Sequence, residues 1–176
     1  MRCTPKILSL LLVFGFVQAF AGTKVVIKNG TIKVDGHELV APWNLQDLQT
    51  WFNWGEREDK CNWTDSKHDY RIYYKADGKG FALYSPVAAP KTVTEISFEL
   101  FKFYAGNNDL TIDGKTIPAK EAMEYVRKDL KSWAEVKGPA SHVYRFEKKG
   151  LYLIANCNEK DEVTILQLGL IEGGRN

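Results

Sequence analysis

The sequence predicts an α+β fold made of two tandem ββαβββ repeats, with mainly antiparallel sheets and one helix packed on them in each repeat. Three observations predict it. Short motifs recur in the same order in both halves, each half begins with an Asp-Gly hairpin signal, and 12% of the residues are aromatic, a composition that favours sheet. Two such units, each unable to bury a face alone, are expected to share one core.

Five short motifs recur in order at separations of 70 to 82 residues. They predict a first repeat over residues 22–106 and a second over 107–176, packed as one compact unit. The matched segments are 34–39 with 112–117, 47–51 with 129–133, 68–71 with 142–145, 80–83 with 150–153, and 93–100 with 163–170.

Each half predicts a hairpin, a helix and three strands. An Asp-Gly pair between apolar-alternating runs predicts a two-residue turn, which joins 25–34 to 37–40 and 109–112 to 115–117. A helix is expected to begin near Pro42 in the first half and to end before Gly138-Pro139 in the second. The strands predicted after it are 70–75, 81–85 and 93–104, and then 143–147, 151–157 and 163–171.

The N-terminus has the pattern of a secretory signal peptide. Arg2 and Lys6 precede an apolar run over 7–17, and the small residues Ala19 and Ala21 stand where a signal peptidase reads. We therefore expect residues 1–21 to be removed after Ala21 and the mature chain to be periplasmic. A buried N-terminal helix is the alternative. Secretion from a eukaryotic cell is a further one, in which Asn29 and Asn62 would be glycosylation acceptors.

The formal net charge of +2 comes from the predicted signal peptide. Removing Arg2 and Lys6 leaves 24 − 2 = 22 basic residues against 22 acidic ones, so the mature chain is formally neutral. No stripe of Lys and Arg forms an electrostatic footprint, so we expect no nucleic-acid partner. No second long apolar run follows, so no membrane span is expected after signal cleavage.

Two cysteines remain after the predicted cleavage, Cys61 and Cys157. Exported proteins usually pair an even number of cysteines, which predicts a Cys61–Cys157 disulfide. A metal site or a reactive thiol is the alternative. Neither cysteine lies in a C-x-x-C or C-x-x-H setting.

The strongest candidate for chemistry is a motif that occurs twice, beginning at His68 and at His142. Strand alternation puts His142 and Tyr144 on one face and Arg145 on the other, and a His–Tyr pair can do acid–base work. The alternative is a structural role, in which the Tyr hydroxyl is hydrogen-bonded and the Arg pairs with an acidic residue on the outer side. Because no nucleophile-elbow or zinc motif is present, the sequence predicts a protein that is not an enzyme, with no catalytic residues, metal or cofactor.

The segment 43–63 holds four of the five tryptophans, and most of them have no counterpart in the second repeat. Unrepeated aromatic residues beside charged ones are typical of a recognition surface. The alternative is that they cover an open end of the core. The predicted partner-binding residues are Trp43, Trp54, Glu56, Arg57, Glu58 and Trp63.

The Asp-Gly hairpin at Asp35-Gly36, followed by Tyr70-Arg71 and Gly80-Phe81, returns in the second half as Asp113-Gly114, Tyr144-Arg145 and Gly150-Leu151. This pattern resembles a small domain of exported bacterial proteins that often occurs in tandem. The architecture is also similar to that of periplasmic inhibitors and immunity proteins.

The export signal, the lack of a catalytic motif, the duplicated scaffold and the unrepeated aromatic residues together predict an exported, non-enzymatic binding protein, an inhibitor or immunity factor that binds a secreted toxin or hydrolase. Two alternatives stay open: an exported hydrolase that uses one His-x-Tyr-Arg site, and a structural domain associated with the envelope.

Overall fold

A computed structural model describes residues 22–52, 58–64, 70–76, 79–86 and 88–171, with the backbone alone over 58–64 and 70–76. The predicted signal peptide lies outside the described residues. The fold is α+β, with mostly antiparallel sheets and few helices, as the sequence predicts.

The first half contains β1 (Lys24–Lys28), β2 (Thr31–Val34), β3 (His37–Glu38), β4 (Trp43–Asn44), α1 (Leu45–Trp51), β5 (Glu58–Thr64), β6 (Tyr70–Ala76), β7 (Phe81–Pro86), β8 (Thr92–Val93), β9 (Glu95–Glu99) and α2 (Leu100–Ala105). The second half contains β10 (Asp109–Ile112), β11 (Lys115–Thr116), α3 (Met123–Asp129), β12 (Ala134–Ala140), β13 (Val143–Lys148), β14 (Leu151–Cys157) and β15 (Val163–Leu170).

A five-stranded sheet has the order β11-β10-β1-β2-β3, and β1 pairs with β10 in parallel. The turns at Asp35-Gly36 and Asp113-Gly114 form as predicted, with positive φ at both residues of each. The predicted single strand over 25–34 is wrong. Asn29-Gly30 also takes positive φ and splits it into the antiparallel pair β1–β2, because Asn-Gly favours the same two-residue turn.

An eight-stranded antiparallel sheet has the order β12-β13-β14-β15-β9-β7-β6-β5. Strands β15 and β9 pair at its centre. The four strands on the β15 side all come from the second half of the chain, and the four on the β9 side all come from the first half. The predicted ββαβββ unit is not confirmed. Each half contributes four strands to this sheet rather than three, since β5 and β12 are added, and the first half also contains the short paired strands β4 and β8. Both added strands lie at the edges of the sheet.

The helices are short. Asn44 caps α1, since its Oδ1 accepts from the main-chain N–H groups of Gln46 at 2.9 Å and Asp47 at 3.3 Å. The helix therefore begins after Pro42 rather than at it. Helix α3 ends at Asp129, and β12 runs through Gly138-Pro139. The strand predicted over 93–104 is wrong in its last part, because residues 100–104 lie in α2 instead.

One hydrophobic core includes residues of the five-stranded sheet, of the eight-stranded sheet, of the two-stranded sheet β4–β8 and of all three described helices. The eight-stranded sheet contributes one face to it, through alternate residues such as Leu83, Ile96, Leu153 and Leu168, none of which is exposed. Strand alternation sends the residues between them to the opposite side. We call the core-facing side the inner face and the opposite side the outer face.

Candidate functional site

The outer face of the eight-stranded sheet lies opposite to the hydrophobic core. Its residues belong neither to the core nor to the partly buried hydrophobic residues packed against it. Their sequence positions alternate with core residues along the five described strands that carry them. They include Tyr84, Glu95, Ser97, Arg145, Glu147, Tyr152, Ile154, Asn156, Ile165, Gln167 and Gly169.

Tyr152 lies flat across this face. It pairs directly with Gly169 on β15, which in turn pairs with Glu95 on β9. A Cβ atom on Gly169 would overlap the Cζ and hydroxyl oxygen of Tyr152, so the missing side chain makes room for the ring. The Tyr152 hydroxyl donates to Oε2 of the buried Glu95 at 2.5 Å. The ring therefore spans two strand intervals and is fixed at both ends.

Arg145 covers the ring of Tyr152. Its guanidinium carbon lies 4.5 Å from the ring centroid, within the range of a cation–π contact. Its Nε donates to Oε1 of Glu147 at 2.8 Å on the same strand. Three side chains thus hold one another in a fixed arrangement. The arrangement confirms the structural reading of Arg145, which pairs with an acid on the face opposite to that of Tyr144.

Beyond this group the outer face carries amide and aliphatic side chains. Asn156 donates to Gln167 across the β14–β15 pair at 3.1 Å, and Ile154 and Ile165 are half-buried. The alternation of Tyr152, Ile154 and Asn156 with buried residues along β14 was the sequence signal for this face. Sequence reasoning missed the group of Tyr152, Glu95 and Arg145, because which residues meet on this face depends on the register of the strands.

The predicted partner-binding segment does not form one surface in the described residues. Trp43 is only 2% exposed on β4, so its assignment to a binding surface is wrong and it belongs to the core. Trp54, Glu56 and Arg57 lie outside the described residues. Glu58 and Trp63 lie on the edge strand β5, whose side chains lie outside the described residues.

The predicted Cys61–Cys157 disulfide is not present, since Cys157 is a free thiol. Cys61 lies on β5 and Cys157 on β14, and four strands separate these two in the sheet. Five strand intervals of about 4.8 Å amount to roughly 24 Å. A disulfide needs Cα atoms within about 7 Å of each other.

The second His-x-Tyr-Arg motif lies at one end of the sheet. The Tyr144 hydroxyl donates to Oδ1 of Asp161 at 2.7 Å, and Nδ1 of His142 lies 3.2 Å from the same oxygen. His142 and Tyr144 therefore do meet on one side, as predicted. The guanidinium of Arg127 covers the Tyr144 ring at 4.7 Å. Of the motif that begins at His68, the structure describes only the backbone of Tyr70 and Arg71.

Hydrogen bonding sets the charge of this cluster. The hydrogen bond from Tyr144 lowers the pKa of Asp161, against a smaller opposing effect of burial, and the contact with His142 lowers it further. The bond to Asp161 and burial raise the pKa of Tyr144. The Tyr144 hydroxyl is thus kept protonated as a donor, and the Asp161 carboxyl is kept charged as an acceptor. This arrangement ties the β14–β15 loop to the start of β13.

The nearest thiol is not activated. Burial, and then the charge of Asp161, raise the pKa of Cys157 to about 11, although Arg127 opposes them. Its Sγ lies 3.9 Å from Sδ of Met123. A nucleophilic cysteine needs a lowered thiol pKa, so the described residues beside His142 and Asp161 do not include an activated cysteine nucleophile.

A second polar cluster joins the two sheets around Asp113. Its Oδ2 accepts from Lys148 at 2.7 Å, from Ser132 at 2.9 Å and from the indole N–H of Trp133 at 2.9 Å. Its Oδ1 accepts from the main-chain N–H of Asn29 at 3.2 Å. Burial raises the pKa of Asp113, but these hydrogen bonds outweigh it and bring the value to about 2.

Within the described residues, no three or more His, Cys, Asp or Glu side chains are grouped to hold a metal ion. None of the helices described here has the length and apolar character needed to cross a bilayer. Comparison with protein-family models, curated proteins and solved structures finds no match for this chain.

Proposed function

We propose that this chain is an exported, non-enzymatic binding protein, most concretely a periplasmic inhibitor or immunity factor that docks a secreted toxin or hydrolase on the outer face. The observation that carries the proposal is the fixed group of Tyr152, Glu95 and Arg145 on the sheet face opposite to the core. Tyr and Arg are the side chains that dominate binding energy at protein interfaces.

The size of the outer face fits a protein partner. Eight strands spaced about 4.8 Å apart span roughly 34 Å, and a strand of seven residues is about 23 Å long. The resulting area of roughly 780 Å² comes close to the 800 Å² or so that each side of a standard interface buries. A small ligand would instead need a concave site that encloses it.

The rigidity of the outer face supports tight binding. The ring of Tyr152 is held by Glu95 on one side and covered by Arg145 on the other. Ordering a long side chain at an interface costs about 0.5–1.5 kcal/mol, and side chains that are ordered before binding avoid much of that cost. A binding surface that is ordered before the partner arrives suits an inhibitor or immunity factor, which must bind its target tightly.

A tandem duplication would account for the width of the outer face. The strand order read outward from the β15–β9 pair is the same on both sides, four strands from each half, which supports the two-repeat hypothesis for this sheet. Each half alone would give a four-stranded sheet of half the area. Joining the halves at their last strands yields one continuous docking face.

The test is affinity capture with the tagged mature chain from periplasmic and secreted fractions, followed by mass spectrometry. Ile154→Arg places a charge in the outer face, and Phe101→Arg is the matched control on α2, where Phe101 is 69% exposed. We expect one stoichiometric protein that Ile154→Arg loses and Phe101→Arg retains, and whose activity the wild-type chain inhibits.

The melting temperatures of both variants show whether Ile154→Arg has lost the binding surface alone or the folded structure as well. A partner that both variants retain would place binding elsewhere and refute the outer face. Turnover of a substrate that His142→Ala abolishes without a change in melting temperature would favour the hydrolase alternative instead.

A further inference from the structure

We infer that Arg145 is the anchor of the outer face and that it receives a carboxylate from an acidic side chain of the protein partner. The inference rests on the proposed function and specifies the chemistry of that partner. It follows from how the guanidinium is held and from which of its nitrogen atoms are engaged.

The guanidinium of Arg145 is fixed before any partner arrives. Gly169 lets the Tyr152 ring lie flat on the sheet, the Tyr152–Glu95 hydrogen bond fixes the ring, and Arg145 stacks on it. Nε donates to Glu147, which sets the rotation of the guanidinium plane. The side chain of Arg145 is 30% exposed, so it is accessible yet partly shielded from water.

The two terminal nitrogens of Arg145 make no hydrogen bond to any described residue, because Nε alone contacts Glu147. A guanidinium presents its donors as a planar fork that matches both oxygens of a carboxylate. Partial shielding strengthens such a pair relative to one in bulk water. The geometry therefore fits an Asp or Glu side chain that approaches the outer face.

Arg127 shows the contrasting case. It also lies on a tyrosine ring, at 4.7 Å from Tyr144, but its Nε and Nη2 both bind Glu135 at 3.0 Å. Its fork is therefore already occupied by a carboxylate within the chain. This residue provides a matched control, since replacing it removes a stacked arginine whose donors are committed.

The experiment uses a phage-displayed library of random 12-residue peptides, selected on the immobilised mature chain. Clones that Ile154→Arg no longer binds define outer-face binders. We expect these to share an Asp or Glu, and changing it to Asn or Gln in the synthetic peptide should weaken the Kd at least 10-fold. Arg145→Gln should weaken binding of the acidic peptide equally and add little when both changes are combined.

The controls and contrary results are distinct. Arg127→Gln should leave the peptide Kd unchanged. Outer-face binders that lack an acidic residue, or that bind Arg145→Gln as tightly as wild type, would overturn the carboxylate inference and leave the proposed function standing. If the selection yields no outer-face binder, the inference and the proposed docking face are both refuted. Inorganic phosphate that binds Arg145 more tightly than any selected peptide would indicate an anion site instead.

Discussion

Tyr152 occupies the space that a side chain on Gly169 would fill, and this is how its hydroxyl reaches Glu95 two strands away. The backbone of Gly169 does not have positive φ, so its conformation is open to any residue. Glycine is therefore required here for space alone. A position in the middle of a strand thereby determines the shape of the outer face.

Gly169→Ala should displace the Tyr152 ring and break its hydrogen bond with Glu95. We expect a loss of about 1–3 kcal/mol in the free energy of unfolding, the usual cost of overpacking. Urea denaturation measures it. In a Tyr152→Ala background the same substitution should cost little, because nothing then lies over residue 169. An equal cost in both backgrounds would show that the ring is not responsible.

Asp113 should contribute stability that depends on pH. Its folded pKa of about 2 lies below the ordinary value of 3.8, so the contribution is present above pH 3.8 and is lost as the pH falls through 2. The difference corresponds to about 2 kcal/mol. Asp113→Asn should therefore be less stable than wild type by that amount at pH 6, with the gap closing toward pH 2 in urea titrations.

Lys148→Met provides the second arm of that test, since it removes the 2.7 Å ion pair and leaves the carboxylate in place. It too should be destabilised at pH 6 and approach wild type in acid. A gap between Asp113→Asn and wild type that is constant from pH 6 to 2 would refute the assigned pKa.

The parts of the fold that could be predicted are those in which the local pattern and the packing agree. Strand β14 is predicted over its whole length because a short apolar run follows Gly150, and the structure confirms its bounds. The Asp-Gly turns were predicted because few residue pairs accept positive φ twice. The α+β class follows from the same signals.

The elements that could not be predicted lack a clear local sequence pattern. No residue of β12 is fully buried, because an edge strand with one neighbour contributes little to the core, and its sequence carries no alternation. Residues 100–105 are mostly apolar and fit a strand or a helix equally well, so their local sequence does not distinguish the two. The group of Tyr152, Glu95 and Arg145 could not be predicted, because it depends on the register of the four strands β13, β14, β15 and β9.

Tyr144→Phe should raise the pKa of Asp161 toward its ordinary value of 3.8, because the hydrogen bond from Tyr144 is the main cause of the lowered pKa. An NMR titration of the Asp161 carboxyl carbon measures this. The stability that the pair contributes is present above pH 3.8 and lost as the pH falls through the folded pKa. Loss of one hydrogen bond should cost about 1 kcal/mol at pH 6. An unchanged Asp161 titration would assign the lowered pKa to His142 instead.

Cys157 should behave as an inert structural thiol. With a pKa of about 11 in place of 9.0, its thiolate fraction at pH 8 falls about 100-fold, and thiol reagents attack the thiolate. In a Cys61→Ser chain that begins at Gly22, we expect iodoacetamide to modify Cys157 about 100 times more slowly in the native state than in urea. The wild-type melting temperature should be the same with and without reductant, because the two cysteines are four strands apart. A fall in melting temperature on reduction, or rapid alkylation of the native protein, would contradict both the strand order and the buried environment of this thiol.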